Sequence, residues 1–147
     1  LIQRVSNASV TVEDDVVTAI SRGLLVFLGV EKGDSERDLD YISRKVSNLR
    51  IFEDDVGRMN LSVKDVRGSI LLVSQFTLAA DCRKGNRPSF DNAEEPAKAD
   101  DMYLMMAERL RAEGIPTETG KFGAHMAVSL VNDGPVTIMI DSKKMHG

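Results

Sequence analysis

Two stretches limit the folds open to this chain more than any other feature. They are Gly-Leu-Leu-Val-Phe-Leu-Gly-Val at 23–30 and Ser-Ile-Leu-Leu-Val-Ser-Gln-Phe at 69–76. Both have strand length and are too short to span a bilayer. An unbroken apolar run bounded by glycine predicts a strand buried on both faces, as in sheets covered by helices. Helical patterns follow both runs. Ser35 and Asp38 stand at capping-box spacing, and Leu39, Ile42, Val46 and Leu49 then form one helical stripe. After a long polar loop at 81–96, a helix is predicted from about Pro96 to Gly114, with Met102, Met106 and Leu110 on its buried face.

The remaining segments read as strands and turns. The opening Leu-Ile-Gln-Arg-Val-Ser-Asn-Ala-Ser-Val-Thr-Val suits an edge strand or hairpin arm, and a few residues are expected before it. It is expected to pair with the segment from Val16 across Glu13-Asp14-Asp15, and Phe52 to Asn60 is a polar turn region. Two last strands are predicted at about 122–131 and 135–141, joined by Asn132-Asp133-Gly134-Pro135 as a closing hairpin. No linker, repeat or low-complexity segment interrupts the 147 residues. The expected architecture is α/β: a single compact layered domain, 1–147, with mixed β-sheets and two main helices.

Composition removes several function classes. The net charge of −4 argues against a general nucleic-acid coat but leaves room for a local pocket holding one nucleic-acid end. A lone Cys82 excludes an internal disulfide and fits a reducing compartment. No signal peptide is read, so a cytoplasmic location is expected. No Cys/His cluster has metal spacing, and no glycine-rich phosphate loop follows a strand. The only histidines are His125, read as packed or exposed rather than as a base, and His146, expected to fray. Cys82 has nothing beside it in sequence to activate a thiolate. The acidic pairs Asp14-Asp15, Asp54-Asp55 and Asp100-Asp101 read as turns or a helix's first turn.

Two anomalies remain. The run ending at Val73 takes on Ser74, Gln75 and Thr77 where the strand stops. Either the strand emerges into solvent there, or its polar end meets a ligand, as strand ends in α/β sheets often do. The second anomaly is Gly134-Pro135. Proline cannot donate to a sheet ladder, so a rigid Gly-Pro is an unusual choice where any polar turn would serve.

Together these segments carry a specific resemblance. Ser-Gln-Phe-Thr-Leu-Ala-Ala-Asp-Cys-Arg-Lys-Gly-Asn-Arg-Pro-Ser-Phe at 74–90 and Gly-Lys-Phe-Gly-Ala-His-Met-Ala-Val-Ser-Leu-Val-Asn-Asp-Gly-Pro-Val-Thr at 120–137 resemble the two signature segments of the D-aminoacyl-tRNA deacylases. The opening strand and the segment from Arg22 to Asp34 are also similar to that family, so nearly the whole chain is covered. The resemblance implies a homodimeric hydrolase, dimerising through its sheet side, without metal or organic cofactor. It would cleave the ester between a D-amino acid or glycine and the acceptor end of tRNA. It implies catalytic roles for Ser74, Gln75, Phe76 and Thr77, with backbone N–H groups of Phe76 and Thr77 holding the oxyanion and water as nucleophile. It implies a cis Gly134-Pro135 entering the partner's active site to exclude L-amino acids, with Arg4 holding that loop. Phe122 and Met126 would contact the terminal adenine, and Arg83, Lys84 and Arg87 the phosphates. Each has a plainer reading beside it: Arg4 as a surface strand residue, Phe122 as core, the three cations as a solvated loop.

Two other classes stay open on the sequence alone. One is a non-catalytic nucleic-acid-binding protein of the same fold. The other is a small-molecule esterase using Thr77 or Ser74 as nucleophile.

Overall fold

The two apolar runs lie side by side at the centre of the sheet. The computed structural model describes residues 1–144, so His146 lies outside the described residues. The strands are β1 (Ile2–Val12), β2 (Asp15–Ile20), β3 (Gly23–Leu28), β4 (Phe52–Glu53), β5 (Met59–Leu61), β6 (Ser69–Ser74), β7 (Thr117–Thr119) and β8 (Ala127–Ile138). The helices are α1 (Glu36–Asn48) and α2 (Pro96–Ala112), with 3₁₀ turns at Phe76–Ala79 and Ser142–Lys144. β3 and β6 run parallel, from Gly23 opposite Ser69 to Leu28 opposite Ser74.

Both runs are covered on two faces, as their continuous apolar sequence requires. Leu24, Val26, Ile70 and Leu72 pack with Leu39 and Val46 of α1 and Met102, Met106 and Leu110 of α2. Leu25, Leu71 and Val73 point the other way, into a second cluster with Val5, Val10 and Ile20. Each such fully buried aliphatic side chain contributes roughly 1.5–3 kcal/mol relative to exposure. The main sheet has the order β2-β1-β3-β6-β7, with β8 on β1. It curls until its outer strands approach, and Thr18 Oγ1 donates to Glu118 Oε2 at 3.3 Å. The second cluster fills the inside of this near-barrel.

Local signals set the element ends. Glu13 and Asp14 both adopt positive φ, 51° and 70°, and close the two-residue β1–β2 turn. The Ser35 backbone N–H donates to Asp38 Oδ2 at 2.9 Å, the capping-box bond expected at the start of α1. Pro96 stands at the first turn of α2, where its missing N–H costs nothing.

The C-terminal region differs from the closing hairpin expected at 122–131 and 135–141. Residues 120–126 form a loop, and β8 is one strand that pairs antiparallel with β1 on both sides of Asn132–Pro135. Gln3 faces Thr137 and Val5 faces Asn132, so four residues of β8 stand opposite Arg4 alone. The turn chemistry is real, but it makes a bulge: both flanks find the same neighbour in the same direction. The short polar β7, parallel to β6, was also not expected from the sequence. Among the described residues β8 pairs only with β1, leaving its other edge open.

Candidate functional site

The end of β6 is set by its neighbour β3. The Gln75 N–H donates to the Leu28 carbonyl at 2.8 Å, extending the ladder one residue past the strand. The chain then tightens into the 3₁₀ turn, where Leu78 N–H reaches the Gln75 carbonyl at 3.2 Å. Gly29 makes room for this turn: a Cβ there would lie 2.9 Å from the Leu78 Cβ. As the first residues of a helical turn, Phe76 and Thr77 have no intrahelical acceptor for their N–H groups. Neither N–H finds one elsewhere among the described residues. Ser74 and Gln75 are half-buried, while Phe76 and Thr77 are exposed. The Gln75 amide donates to the Thr77 hydroxyl, and an amide is no base for that hydroxyl's proton.

A second aromatic, absent from the sequence-based candidates, braces this turn. Phe90 meets Phe76 edge to face, with ring centroids 5.1 Å apart. The intervening loop is clasped by paired backbone bonds between Asp81 and Ser89, 2.7 and 2.9 Å long. Arg83 donates to both Asp81 carboxylate oxygens, at 2.9 and 2.7 Å. These bonds pull the Asp81 carboxyl down to about 2. Arg83 is therefore already paired although exposed, and Lys84 and Arg87 on the same loop are exposed as well. The sequence signal for Phe90 was only an aromatic closing a polar loop.

The loop at 120–126 is tied to the same strand. The Leu72 carbonyl, two residues before Ser74, accepts the Gly120 N–H at 3.1 Å and the Tyr103 hydroxyl at 2.7 Å. Phe122 packs on Tyr103, centroids 6.1 Å apart, and the Lys121 N–H meets the Met126 sulfur at 3.4 Å. Phe122 and Met126 are half-buried, and His125 is exposed.

The bulge is organised separately, around Arg4. This side chain is 7% exposed. Its Nε donates to the Asp133 carbonyl and its Nη1 to the Ile51 carbonyl, both at 2.8 Å, and Glu53 lies 3.9 Å from Nη2. Asn132 folds back across the bulge, accepting the Val136 N–H at 2.7 Å. The Gly134–Pro135 peptide bond is cis, and Gly134 has φ +142°. A Cβ on Gly134 would lie 3.1 Å from Arg4 Nη2 and 2.9 Å from Val136 Cγ2.

The structure thus brings Ser74–Thr77 close to the loop carrying Phe122 and Met126, but not to Gly134–Pro135 of the same chain. Arg4 is level with Leu24 on β3, which pairs with Ile70, four residues short of Ser74. Four residues along a strand and three strand spacings across, from β8 to β6, put the bulge on the order of 20 Å from Ser74. Among the described residues, no group of three or more His, Cys, Asp or Glu is placed to hold a metal ion. No described helix is long and apolar enough to cross a membrane.

Comparison with known proteins finds relatives over nearly the whole chain. Residues 1–141 match the family model described as D-Tyr-tRNA(Tyr) deacylase. The chain is 59% identical over 145 residues to a D-aminoacyl-tRNA deacylase of Thermotoga petrophila, covering 99% of this chain and 97% of that one. It is 58% identical to that of Magnetococcus marinus, covering 100% and 98%. Among solved structures, one titled c-Myc DNA Unwinding Element Binding Protein superposes with a TM-score of 0.90 at 43% identity, over 95% of each chain. A probable eukaryotic D-amino acid tRNA deacylase, only 16% identical, shares the fold with a TM-score of 0.76 over 91% of this chain and 93% of that one. The chain belongs to the D-Tyr-tRNA(Tyr) deacylase family.

Proposed function

We propose that this protein is a D-aminoacyl-tRNA deacylase acting as a homodimer, in which the Gly134–Pro135 bulge of each subunit closes the site at Ser74–Thr77 of the other. The observation that carries this reading is the separation within one chain. The braced bulge and the polar strand end lie too far apart to share a small substrate, and β8 offers an open edge where a second copy can dock. Long unpaired edges are otherwise a hazard for soluble proteins, and a two-fold contact would present each bulge to the opposite subunit.

In such a site the ester carbonyl lies against the N–H groups of Phe76 and Thr77. Water attacks the carbonyl carbon, and the oxyanion that forms is held by those two donors. The substrate's own ribose 2′-hydroxyl assists water activation. The C–O bond to the ribose then breaks, the ribose oxygen takes a proton, and free amino acid and tRNA leave. Ser74 and Gln75 orient the reacting groups. Phe122 and Met126 contact the terminal adenine, a base-on-aromatic mode common in single-strand recognition. Lys84 and Arg87 are available to phosphates, and Arg83 chiefly holds its loop.

Selectivity works by exclusion. The bulge backbone, fixed by Arg4 and Asn132, receives the α-amino group, and an L-side chain would be driven into it. A D-side chain points away, and glycine has none, so glycyl-tRNA is also a substrate. One rigid wall then serves many D-amino acids, because discrimination rests on a clash rather than on reading the side chain.

Placing a charge on the open edge tests the shared site. Val131→Lys should give a folded monomer, shown by sedimentation, with little deacylase activity. A folded monomer with full activity would exclude a site completed across subunits.

A further inference from the structure

We propose that Tyr103 is a positioning residue for the adenine subsite, joining the loop that carries Phe122 to the strand that carries the reacting centre. This inference rests on the proposed deacylase reading and extends it to a residue on α2, outside both signature segments.

Tyr103 is 2% exposed, and its hydroxyl reaches from the helix–sheet core to Leu72 in the second half of β6. Its acceptor, the Leu72 carbonyl, also receives the Gly120 N–H. One carbonyl oxygen therefore ties α2 and the start of the 120–126 loop to the strand two residues before Ser74. The Gly120 carbonyl lies 3.5 Å from the same hydroxyl, a longer second contact. Beyond this tie, the Tyr103 ring backs the Phe122 ring at a 41° tilt. A phenol suits this place for two reasons. Its ring supports an aromatic neighbour, and its hydroxyl occupies the second acceptor site of a carbonyl already bonded to the Gly120 N–H. Distance between the adenine contact and the ester is a fixed length in any one substrate. A link between the two protein segments that fixes the matching distance raises affinity by preorganisation, without touching the substrate.

The test uses two non-hydrolysable probes: 3′-(D-tyrosylamino)-3′-deoxyadenosine, and the same amide on a ribose lacking the base. The wild type should bind the adenosine probe at least about tenfold more tightly, the scale of one good stacking contact. Tyr103→Phe should weaken the adenosine probe about fivefold, the scale of one hydrogen bond, and leave the base-less probe within about twofold. Phe122→Leu supplies an independent variant. It should remove the base dependence, and Tyr103→Phe added to it should have no further effect on either probe. Equal weakening of both probes by Tyr103→Phe would reduce Tyr103 to a general stabilising residue and overturn the proposal. So would full retention of base discrimination in Tyr103→Phe, or an undiminished effect of Tyr103→Phe in the Phe122→Leu background. A wild type that binds both probes equally would instead contradict the adenine subsite itself. Failure of the wild type to bind either would count against the deacylase reading.

Discussion

The Arg4 guanidinium holds the Asp133 carbonyl at 2.8 Å across a bulge in which four residues of β8 face this one residue of β1. A buried arginine in a strand is costly unless its donors are used, and here they are directed at carbonyls of two separate segments. The arginine thereby fixes the bulge from beneath and leaves Gly134 and Pro135 outermost.

Arg4→Met removes those bonds and leaves two carbonyls without their charged partner. Chemical denaturation should show a loss of about 1.5–3 kcal/mol, the scale of hydrogen bonds to a charged group. Arg4→Lys should not restore deacylation, since one ammonium cannot reach both carbonyls with the geometry of a planar fork. Full rescue by lysine would show that charge alone, and not the position of the bulge, matters.

Gly134→Ala should fold and yet fail as an enzyme. The new methyl would meet Arg4 Nη2 and Val136 in a backbone region that L-residues rarely adopt. Displacing the wall by about an ångström can reduce turnover on the order of 10²-fold. Steady-state kinetics on D-tyrosyl-tRNA and a thermal melt together decide this. Unchanged turnover in the alanine variant would take the bulge out of the site.

Thr77→Ala should keep turnover within about tenfold of the wild type, because the hydroxyl has no base to activate it. Loss of a backbone oxyanion donor would cost about 10²–10³. An acyl-enzyme on Thr77, trapped and identified by mass spectrometry, would replace water with threonine as nucleophile.

Tyr103 makes a prediction about alkaline stability. Burial pushes its hydroxyl up from 10.0 to about 12, so the folded state keeps a proton that the unfolded state gives up. Its contribution is therefore complete below about pH 10 and is lost as pH rises towards 12. Subtracting the tyrosinate absorbance titration of Tyr103→Phe from that of the wild type should isolate a late-ionising phenol. A difference curve centred at pH 10 would show that the hydroxyl is not shielded.

The central strands, both helices and the cap at Ser35 were legible because each depends on local pattern: an apolar run, a stripe, a box. Asn132–Pro135 was not legible as a bulge. Its residues favour a turn whatever follows, and only the distant β1 decides that both flanks stay in one strand. Arg4 reads as a surface residue until two carbonyls 47 and 129 positions away enclose it. Tyr103 lies outside both signature segments, and Phe90 ends one of them with no polar or reactive group to single it out, so the importance of both is one of contact. The candidate residues at 74–77 and 134–135 stood out because each breaks a local rule, polar groups ending a buried strand and proline in a sheet. Such breaks are expected where a chain serves a site as well as a fold.

The most direct test compares D-tyrosyl-tRNA and L-tyrosyl-tRNA, matched in tRNA and concentration, following ester hydrolysis by the purified protein. The account predicts rapid loss of the D-ester and an L-ester no shorter-lived than in buffer alone. Hydrolysis of both at similar rates, or of the L-ester first, would contradict an enzyme whose selectivity rests on excluding the L-side chain.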